Sequence, residues 1–265
     1  MDQFVSGDHF QMQPWHRTLV RHLFHPDPRR IDISCARAAK APQIPRLLYK
    51  YREFNNQHLE ALQDNVLWAA RPNSFVDKTD TGIRSRSPDF KLIEDEVRRK
   101  YRVLSLSASC SSQGMWEKYG GQSRGFCIEY DFFSPTEDVL DRDRRRISQI
   151  RDKLYPVFYR KRHPRTLDNY VKAWMLTTAS RNADTLNPFF PIFFCIQKQA
   201  SFREEQEWRV VEIREDPAYE LRIAMPPIRR VIIGSCADEK HALILADYLR
   251  RKNIPLHRAV SNKEH

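Results

Sequence analysis

The chain has 265 residues, of which 41% are hydrophobic and 30% are charged. This composition is typical of a folded globular protein and excludes an intrinsically disordered one. Lysine and arginine outnumber aspartate and glutamate by 45 to 34, which gives a formal net charge of +11 and an isoelectric point near 9.5. A positive field of this size attracts polyanions, so nucleic acid, an acidic protein surface and a phosphate-bearing small molecule are candidate partners.

The five cysteines are widely spaced and include no C-x-x-C pair. This spacing predicts reduced thiols rather than a disulfide framework or a structural zinc site. The N-terminal sequence lacks the basic and apolar segments of a signal peptide. The most apolar stretch, NPFFPIFFCIQ at Asn187 to Gln197, is too short to span a bilayer and is expected in the core. We therefore predict a cytoplasmic protein without a membrane anchor.

Residues 1–44 form a predicted N-terminal extension. The segment QPWHRTLVRHLF spaces its large apolar residues one helical turn apart, so we expect an amphipathic helix there. His22 and His25 lie one turn apart near its end and are potential metal ligands. Because the neighbouring sequence offers no third ligand, we predict two surface histidines and no metal site.

Residues 45–265 are predicted to form one α+β domain with a twisted, mixed or antiparallel central sheet. Its first strand is LLYKYR, in which Tyr49 and Tyr51 face one way while Lys50 and Arg52 face the other. A helix in NQHLEALQ follows, and a late helix is predicted in DEKHALILADYLRRKN. Further strands are predicted in VLSLSASC, GFCIEY, EWRVVEI, YELRIA, IRRVIIGS and PLHRAVS.

A mainly helical insertion is predicted at about residues 135–199, and it contains the basic clusters RDRRR and YRKRHPR. Tyr170, Trp174 and Leu176 in its second half are expected to pack in the core. Charge runs of this kind most often form solvated faces. Together with LRRKN near the C-terminus, they are alternatively a nucleic-acid-binding surface.

The common nucleotide-binding and hydrolase signatures are missing from the sequence. It has no G-x-x-x-x-G-K-[ST], G-x-G-x-x-G, H-E-x-x-H or G-x-S-x-G motif, and only 7 glycines. A catalytic site must therefore be built from a less obvious set of residues.

The segment REEQEWRVVEI, Arg203 to Ile213, places carboxylates at the head of an apolar strand. In an extended chain Glu205, Glu207 and Arg209 project from one face. A carboxylate held rigidly at the edge of a cavity is suited to stabilising a developing positive charge. The competing structural explanation is an ion pair between Glu207 and Arg209.

Six motifs follow one another along the chain: LLYKYREF, LWAARPNSFVDKTD, VLSLSAS, MWEKYGGQSRGFCIEYD, KQASFREEQEWRVV and IRRVIIGS. In this order they resemble the motifs of a widespread bacterial family known as domain of unknown function 2971. The resemblance covers roughly Arg46 to Val260 and implies a fold more readily than an activity. The sequence departs from the family pattern after Phe75, where VDK at 76–78 replaces asparagine, aspartate and proline, and at Phe202, where the family usually has tryptophan.

A remoter resemblance suggests an activity. The order Arg52, then SLS at Ser105 to Ser107, then EQE at Glu205 to Glu207 is similar to the arginine, serine-threonine-serine and E-x-E triad of ADP-ribosyltransferases. It implies an ADP-ribosyltransferase-like fold and NAD as the substrate, with cleavage of the nicotinamide–ribose bond by a transferase or an NAD glycohydrolase. By analogy it also suggests a toxin or phage-defence effector.

The same resemblance implies a role for each matching residue. Glu207 would bond a ribose hydroxyl and stabilise the oxocarbenium-like transition state, and Glu205 would orient or deprotonate an acceptor. Arg52 would grip the pyrophosphate or ribose end of NAD. Ser105 and Ser107 would position the nicotinamide ribose or Glu207.

Three aromatic residues are further candidates for holding NAD. Trp116 and Tyr119 lie one helical turn apart and are suited to form a wall for the nicotinamide ring. Tyr49 lies on the first strand of the domain. Core packing is the alternative role for the two rings of the helical turn.

Two other classes of protein stay open. One is a basic nucleic-acid-binding protein or a metal-dependent nuclease that uses Glu205, Glu207 and Lys198. The other is a non-catalytic interaction module of a defence or toxin system. Geometry distinguishes them, because NAD chemistry requires Arg52, Ser105 and Glu207 to line one cleft. The acceptor is then a protein, a nucleic acid, a small molecule or water.

Overall fold

The computed structural model describes residues 12–25, 27–75, 80, 88, 91, 95, 98–133, 141–161, 187, 189–214 and 221–260. The predicted core residues Tyr170, Trp174 and Leu176 lie outside the described residues, as does the VDK sequence at 76–78.

Helices and strands are interspersed along the described chain. The α-helices are α1 (Pro14–Leu23), α2 (Ile33–Lys40), α3 (Asn56–Gln63), α4 (Gln113–Lys118), α5 (Asp141–Asp152), α6 (Ile192–Cys195) and α7 (Glu239–Arg251). The strands are β1 (Leu47–Arg52), β2 (Val66–Ala69), β3 (Tyr101–Ser107), β4 (Phe126–Asp131), β5 (Leu154–Pro156), β6 (Phe158–Arg160), β7 (Gln197–Gln199), β8 (Glu207–Ile213), β9 (Leu221–Ala224), β10 (Ile228–Ile233) and β11 (Leu256–Arg258). Among these helices, none has the length and apolar character needed to cross a membrane.

The central sheet has seven strands in the order β11-β10-β4-β1-β3-β8-β5. Strand β11 pairs parallel with β10, whereas the other neighbours in this sheet are antiparallel. Two smaller pairs flank it, an antiparallel β2–β9 pair and a parallel β6–β7 pair. The structure therefore confirms an α+β protein with a mixed central sheet.

Polar side chains cap four of the described α-helices at their N-termini. Each accepts a hydrogen bond from a backbone N–H in the first turn, which satisfies a donor that has no partner inside the helix. These caps are Asp32 for α2, Asn55 for α3, Ser112 for α4 and Asp238 for α7. A cap of this kind typically stabilises a helix by about 1 kcal/mol.

The central sheet packs an apolar core on one face, here called the first face. Leu48, Leu104, Phe126 and Val231 from four of its strands lie there, and Leu245 of α7 packs in the same cluster. Since side chains alternate along a strand, the residues between these project from the opposite side, the second face.

The second face carries two apolar clusters. At one end of the sheet, Val103 and Val211 pack with Phe194 of α6 and with α1. Towards β4 and β10, Tyr51 packs with Cys127 and Trp116. The residues that follow Val103 on β3, and those that precede Val211 on β8, are polar on this face. A polar row therefore separates the two apolar clusters.

The N-terminal extension docks onto the domain through the predicted amphipathic helix. Leu19, Val20 and Leu23 of α1 are buried against the second face. Trp15 stacks nearly parallel to Trp208, with ring centroids 6.2 Å apart and 10° between the planes. Burial of three aliphatic side chains stabilises this docking by roughly 5 kcal/mol, taken as transfer free energy from water.

The fork between β1 and β3 is the main irregularity of the sheet. The register between them contains one pair, Tyr49 with Ser107. Further along β3, Val103 exchanges backbone hydrogen bonds of 2.8 and 3.0 Å with Ala70, the residue after β2. Strand β3 thus leaves β1 and joins the end of β2, and Ser105 lies where the strands separate.

The region predicted as a mainly helical insertion also contains strands. Within its described part, α5 and α6 are helical, but β5, β6 and β7 are extended. The aromatic and branched residues of LYPVFYR favour strand geometry, and β5 completes the edge of the central sheet by pairing with β8. Basic residues on both sides of this segment obscured the short strands in the sequence.

Candidate functional site

Three neighbouring strands, β1, β3 and β8, carry five of the eight predicted site residues: Tyr49, Arg52, Ser105, Ser107 and Glu207. The register pairs Tyr49 with Ser107, Ser107 with Glu207, and Ser105 with Arg209. Paired residues on antiparallel strands point to the same face, so the five paired side chains belong to the second face. The polar row between the two apolar clusters is therefore the candidate site.

The E-x-E segment changes its backbone conformation between the two glutamates. Residues Ala200–Glu205 form a 3-10 helix, Gln206 is left-handed with φ 43° and ψ 50°, and β8 begins at Glu207. The expectation of one extended segment is wrong for Glu205, because a left-handed residue interrupts the alternation of a strand. The backbone N–H of Ala108 donates to the Gln206 carbonyl at 2.9 Å, which ties this turn to the end of β3.

Lys198 nevertheless brings both glutamates together. Its ammonium group lies 2.5 Å from Oε2 of Glu205, 2.9 Å from Oε2 of Glu207 and 3.5 Å from Oδ2 of Asp80. The position among three carboxylates is the one that a metal ion takes in a carboxylate-dependent nuclease. Because a protein cation occupies it here, the arrangement does not favour the nuclease alternative.

Arg209 is the second cation of this group and is fully buried. Its Nε lies 2.8 Å from Oε1 of Glu207, and its Nη2 lies 3.1 Å from Oε2 of Glu207 and 2.6 Å from Oδ1 of Asp80. Its Nη1 donates to the Cys195 carbonyl at 2.7 Å. The ion pair expected between Glu207 and Arg209 is thus present. We call Asp80, Lys198, Glu205, Glu207 and Arg209 the buried ion cluster.

Each charged group of this cluster stabilises the ionised form of its oppositely charged neighbours. Burial alone would raise the pKa of Glu207, but Arg209, Lys198 and a hydrogen bond from the Ser105 hydroxyl hold it well below its usual range. Burial alone would lower the pKa of Lys198, but Glu207 and Asp80 raise it. Glu207 is therefore ionised at neutral pH, with its charge balanced by protein cations.

The two serines of the SLS motif have different environments. Ser105 pairs with Arg209 across β3 and β8 and is half-buried at the fork, and its hydroxyl helps to lower the pKa of the Glu207 carboxylate. Ser107 is buried, and its hydroxyl donates to the Glu205 carbonyl at 2.8 Å and accepts from the N–H of Ser109 at 3.0 Å. Ser105 is thus available to a ligand at the fork, while Ser107 holds the backbone.

Arg52 lies on the opposite side of the sheet from Glu207. Alternation along β1 places it, with Lys50, on the face of Leu48 rather than on that of Tyr49. Lys50 reaches across the fork, because its Nζ donates to the Ser105 carbonyl at 2.7 Å. Burial and the nearby Arg52 lower the pKa of Lys50 to about 7. The structure brings Ser105 and Glu207 to one face and places Arg52 on the other. The three residues therefore do not line one cleft, so the arginine part of the predicted NAD site is wrong.

Of the three aromatic residues predicted to hold NAD, one lies at the ion cluster and two are buried. Tyr119 lies at the ion cluster, with its hydroxyl 3.4 Å from Oε1 of Glu205. Trp116 is buried, packs edge-on against Tyr51 with centroids 5.0 Å apart, and donates from Nε1 to a backbone carbonyl at 3.0 Å. Tyr49 is buried as well, and burial is the main cause that raises its pKa.

Three residues that lie at the buried ion cluster are not among the predicted site residues. Asp80, the last residue of the LWAARPNSFVDKTD motif, pairs with Lys198 and Arg209. Tyr159 accepts a hydrogen bond at its hydroxyl from the backbone N–H of Glu207 at 2.8 Å. Lys118, whose side chain is 42% exposed, lies 3.2 Å from Oε1 of Glu205. The MWEKY motif contains Lys118 between the two aromatic residues that the sequence predicts at the site.

Phe202 provides an aromatic surface for the same lysines. Its ring centroid lies 4.4 Å from Nζ of Lys118 and 5.2 Å from that of Lys198. Cations favour such positions over an aromatic face. Phenylalanine therefore retains a cation–π contact at the position where the family resemblance implies tryptophan.

A basic groove of about 550 Å³ lies apart from the ion cluster, between α5, β8 and β9. Arg142, Arg145 and Arg146 of the RDRRR motif line one side. The opposite side and floor contain Lys153, Glu212, Arg214, Leu221, Arg222 and Ile223. Arg142 and Arg145 are exposed, so this groove presents a positive surface to solvent.

The fold and the site define an α+β protein with a buried ion cluster at the end of its central sheet. Residues 115–210 match the sequence model of a family described as Protein of unknown function (DUF2971). The match confirms the family resemblance predicted from the motifs, and it includes Lys198, Glu205 and Glu207. Comparison with curated proteins and with solved structures gives no significant match.

Proposed function

We propose that the protein cleaves the bond between nicotinamide and ribose in NAD, with Glu207 as the catalytic carboxylate. The observation that carries this proposal is that Ser105, Ser107 and Glu207 project from one face of the neighbouring strands β3 and β8, as the serine and glutamate motifs of the resemblance require. Water or another acceptor takes the ADP-ribose group, and nicotinamide leaves.

The charge state of Glu207 suits this reaction. The transition state of glycosidic bond cleavage carries positive charge on the ribose, and an ionised carboxylate beside it is stabilising. Arg209 and Lys198 donate three hydrogen bonds to the two carboxylate oxygens, which offer about four acceptor positions. A ribose hydroxyl donates to the remaining position.

The fork provides the approach to Glu207. Ser105 is half-buried there, whereas its neighbours Leu104 and Leu106 on β3 are buried. Because Arg52 lies on the other face, the cationic role that the resemblance gives to it falls to another group. Lys118, the exposed cation beside Glu205, is suited to the pyrophosphate.

The two serines provide a matched test of this proposal. The native protein is expected to release nicotinamide from NAD, as followed by chromatography. Ser105→Ala should lower kcat/KM about tenfold, the effect of one hydrogen bond to a charged group. Ser107→Ala removes a bond to backbone and should lower stability with a smaller effect on kcat/KM. Absence of release by the native protein with water, protein or nucleic acid as acceptor would overturn the proposal, as would equal effects of the two variants on kcat/KM.

A second candidate function is nucleic-acid binding through the basic groove. Arg142 and Arg145 lie three residues apart on the exposed face of α5, beside the apolar floor of the groove. Arginines bind phosphate oxygens in a bidentate manner. This function is compatible with NAD cleavage, since nucleic acid is one of the candidate acceptors.

Salt dependence tests the groove directly. Replacing Arg142 and Arg145 together by glutamate should weaken binding of a fluorescent single-stranded oligonucleotide and lower the slope of log K against log salt by about two. The matched control replaces the exposed Arg250 and Lys252 of the LRRKN cluster by glutamate, with the same change in net charge. Equal losses in both double variants would show attraction by net charge alone and contradict a site in the groove.

A further inference from the structure

A separate cluster of metal-ligating side chains lies where α1 ends and α2 begins. One ligand atom each of His22, Asp32 and Cys35 lies within 4.8 Å of the other two. The sequence spacing predicted no third ligand beside His22 and His25. The chain turns back after α1, however, and places Asp32 and Cys35 next to His22. His25, the other histidine of that prediction, instead accepts a hydrogen bond at Nδ1 from the backbone of Asp27 at 3.0 Å.

Two hydrogen bonds donated by backbone N–H groups hold this cluster in place. The N–H of Asp32 donates to the carbonyl of His22 at 2.9 Å, which joins the end of α1 to the start of α2. The N–H of Cys35 donates to Oδ1 of Asp32 at 2.8 Å. One carboxylate oxygen therefore serves as the helix cap, and the other is available to a ligand.

We propose that His22, Asp32 and Cys35 bind one zinc ion. Zinc prefers imidazole nitrogen, thiolate sulfur and carboxylate oxygen in a tetrahedral arrangement, whereas magnesium and calcium require oxygen ligands. With bond lengths of ~2.0–2.3 Å, ligand atoms around tetrahedral zinc stand about 3.5 Å apart. Small side-chain rotations close the observed separations to that value. Water occupies the fourth position, because the cluster lies at the surface.

The charges of the three ligands also suit a divalent cation. On binding, Cys35 loses its thiol proton to solvent, so the thiolate and the Asp32 carboxylate together neutralise Zn²⁺. The ion then joins α1 and α2, the two α-helices of the N-terminal extension. A bound ion that links α1 to α2 stabilises the folded state by mass action, and it acts on the docked extension rather than on Glu207.

Binding of Zn²⁺ and Co²⁺ to the full chain tests this site. The native protein should bind one Zn²⁺ in competition with a chelating dye, and Co²⁺ should give a sulfur-to-metal charge-transfer band in the near ultraviolet. Cys35→Ser should remove that band and weaken Zn²⁺ binding at least ~10-fold, the scale of losses seen even for groups that only support a metal ligand. Asp32→Asn retains an oxygen for the helix cap and should weaken Zn²⁺ binding to a similar extent.

Cys236→Ser is the matched control, because Cys236 is an exposed free cysteine elsewhere on the surface. It should leave the cobalt band and the Zn²⁺ affinity unchanged. Zn²⁺ should also raise the Tm of the native protein and of Cys236→Ser, but not that of Cys35→Ser. A cobalt band that survives in Cys35→Ser, or equal Zn²⁺ affinity of Cys35→Ser and the native chain, would overturn the site.

Discussion

Glu207→Gln is expected to slow nicotinamide release from NAD at least ~100-fold relative to the native protein. Glutamine preserves the shape of the side chain but removes the negative charge that faces the developing positive charge on the ribose. KM should change less than kcat, because the lost interaction is made mainly in the transition state. Initial rates of nicotinamide release over a range of NAD concentrations measure both parameters.

A control must separate catalysis from folding, since Glu207 belongs to the buried ion cluster. Glu129→Gln serves this purpose, because Glu129 is a buried carboxylate of the same sheet, paired with Arg230 at 2.8 Å. Circular dichroism and urea unfolding should show both variants folded at the assay temperature. If Glu207→Gln releases nicotinamide as fast as the native chain, or if Glu129→Gln loses as much kcat, Glu207 is not the catalytic carboxylate.

Much of the fold follows from local sequence patterns. The alternation in LLYKYR and EWRVVEI predicts strands whose two faces differ, and β1 and β8 have this form. Spacing in QPWHRTLVRHLF predicts helix α1 with its buried Leu19 and Leu23. These patterns are informative because burial of apolar side chains at a fixed period dominates the stability of each element.

The fork and the turn at Gln206 do not follow from such patterns. Departure of β3 from β1 depends on Val103 pairing with Ala70, a contact between distant segments. Gln206 is left-handed although glycine or asparagine is the usual residue in that conformation. The hydrogen bond from Ala108 to Gln206 helps to hold this backbone. Tertiary contacts therefore override local preference at the two places that shape the site.

The candidate site was predictable only in part for the same reason. Sequence order suggested Glu207 and the serines, and strand pairing then places Ser105 and Ser107 beside β8. Asp80 ends the LWAARPNSFVDKTD motif, but the motif does not indicate its role, which depends on the positions of Lys198 and Arg209 in space. A charge network of this kind forms only in the packed structure. The spacing of apolar and polar residues along the sequence therefore does not predict it.

The family match covers one part of the candidate site and leaves out another. It begins at Met115 and ends at Val210, so it contains the glutamates and their cations but neither β1 nor the SLS motif. Ion pairs between Glu207 and Arg209 are therefore within the matched segment, while the pairing of Ser107 with Glu207 joins that segment to β3. The proposed NAD cleavage needs Ser105 and Glu207 to act together, whereas a structural ion pair needs Glu207 and Arg209 alone.

Arg209→Met is expected to lower the free energy of unfolding at neutral pH by roughly 3–5 kcal/mol. Methionine fills much of the space but leaves Glu207 and Asp80 with Lys198 as their remaining cation within the cluster. It also removes a donor from the buried Cys195 carbonyl. Urea unfolding curves of the native protein and the variant measure the difference. Arg209→Met combined with Glu207→Leu should recover part of the loss, because Asp80 is then the one carboxylate of the cluster left without its arginine, and it keeps Lys198.

The pH dependence of unfolding tests whether the ion pair between Glu207 and Arg209 stabilises the folded protein. Glu207 has a pKa below its usual range in the folded protein, so its contribution to stability is present above the unfolded pKa of about 4.3 and is lost as pH falls further. Native stability should therefore decline between about pH 5 and pH 2. In Arg209→Met the decline over this window should be shallower, since the guanidinium no longer depresses the pKa. Parallel pH profiles for the two proteins would show that Arg209 does not set the charge state of Glu207.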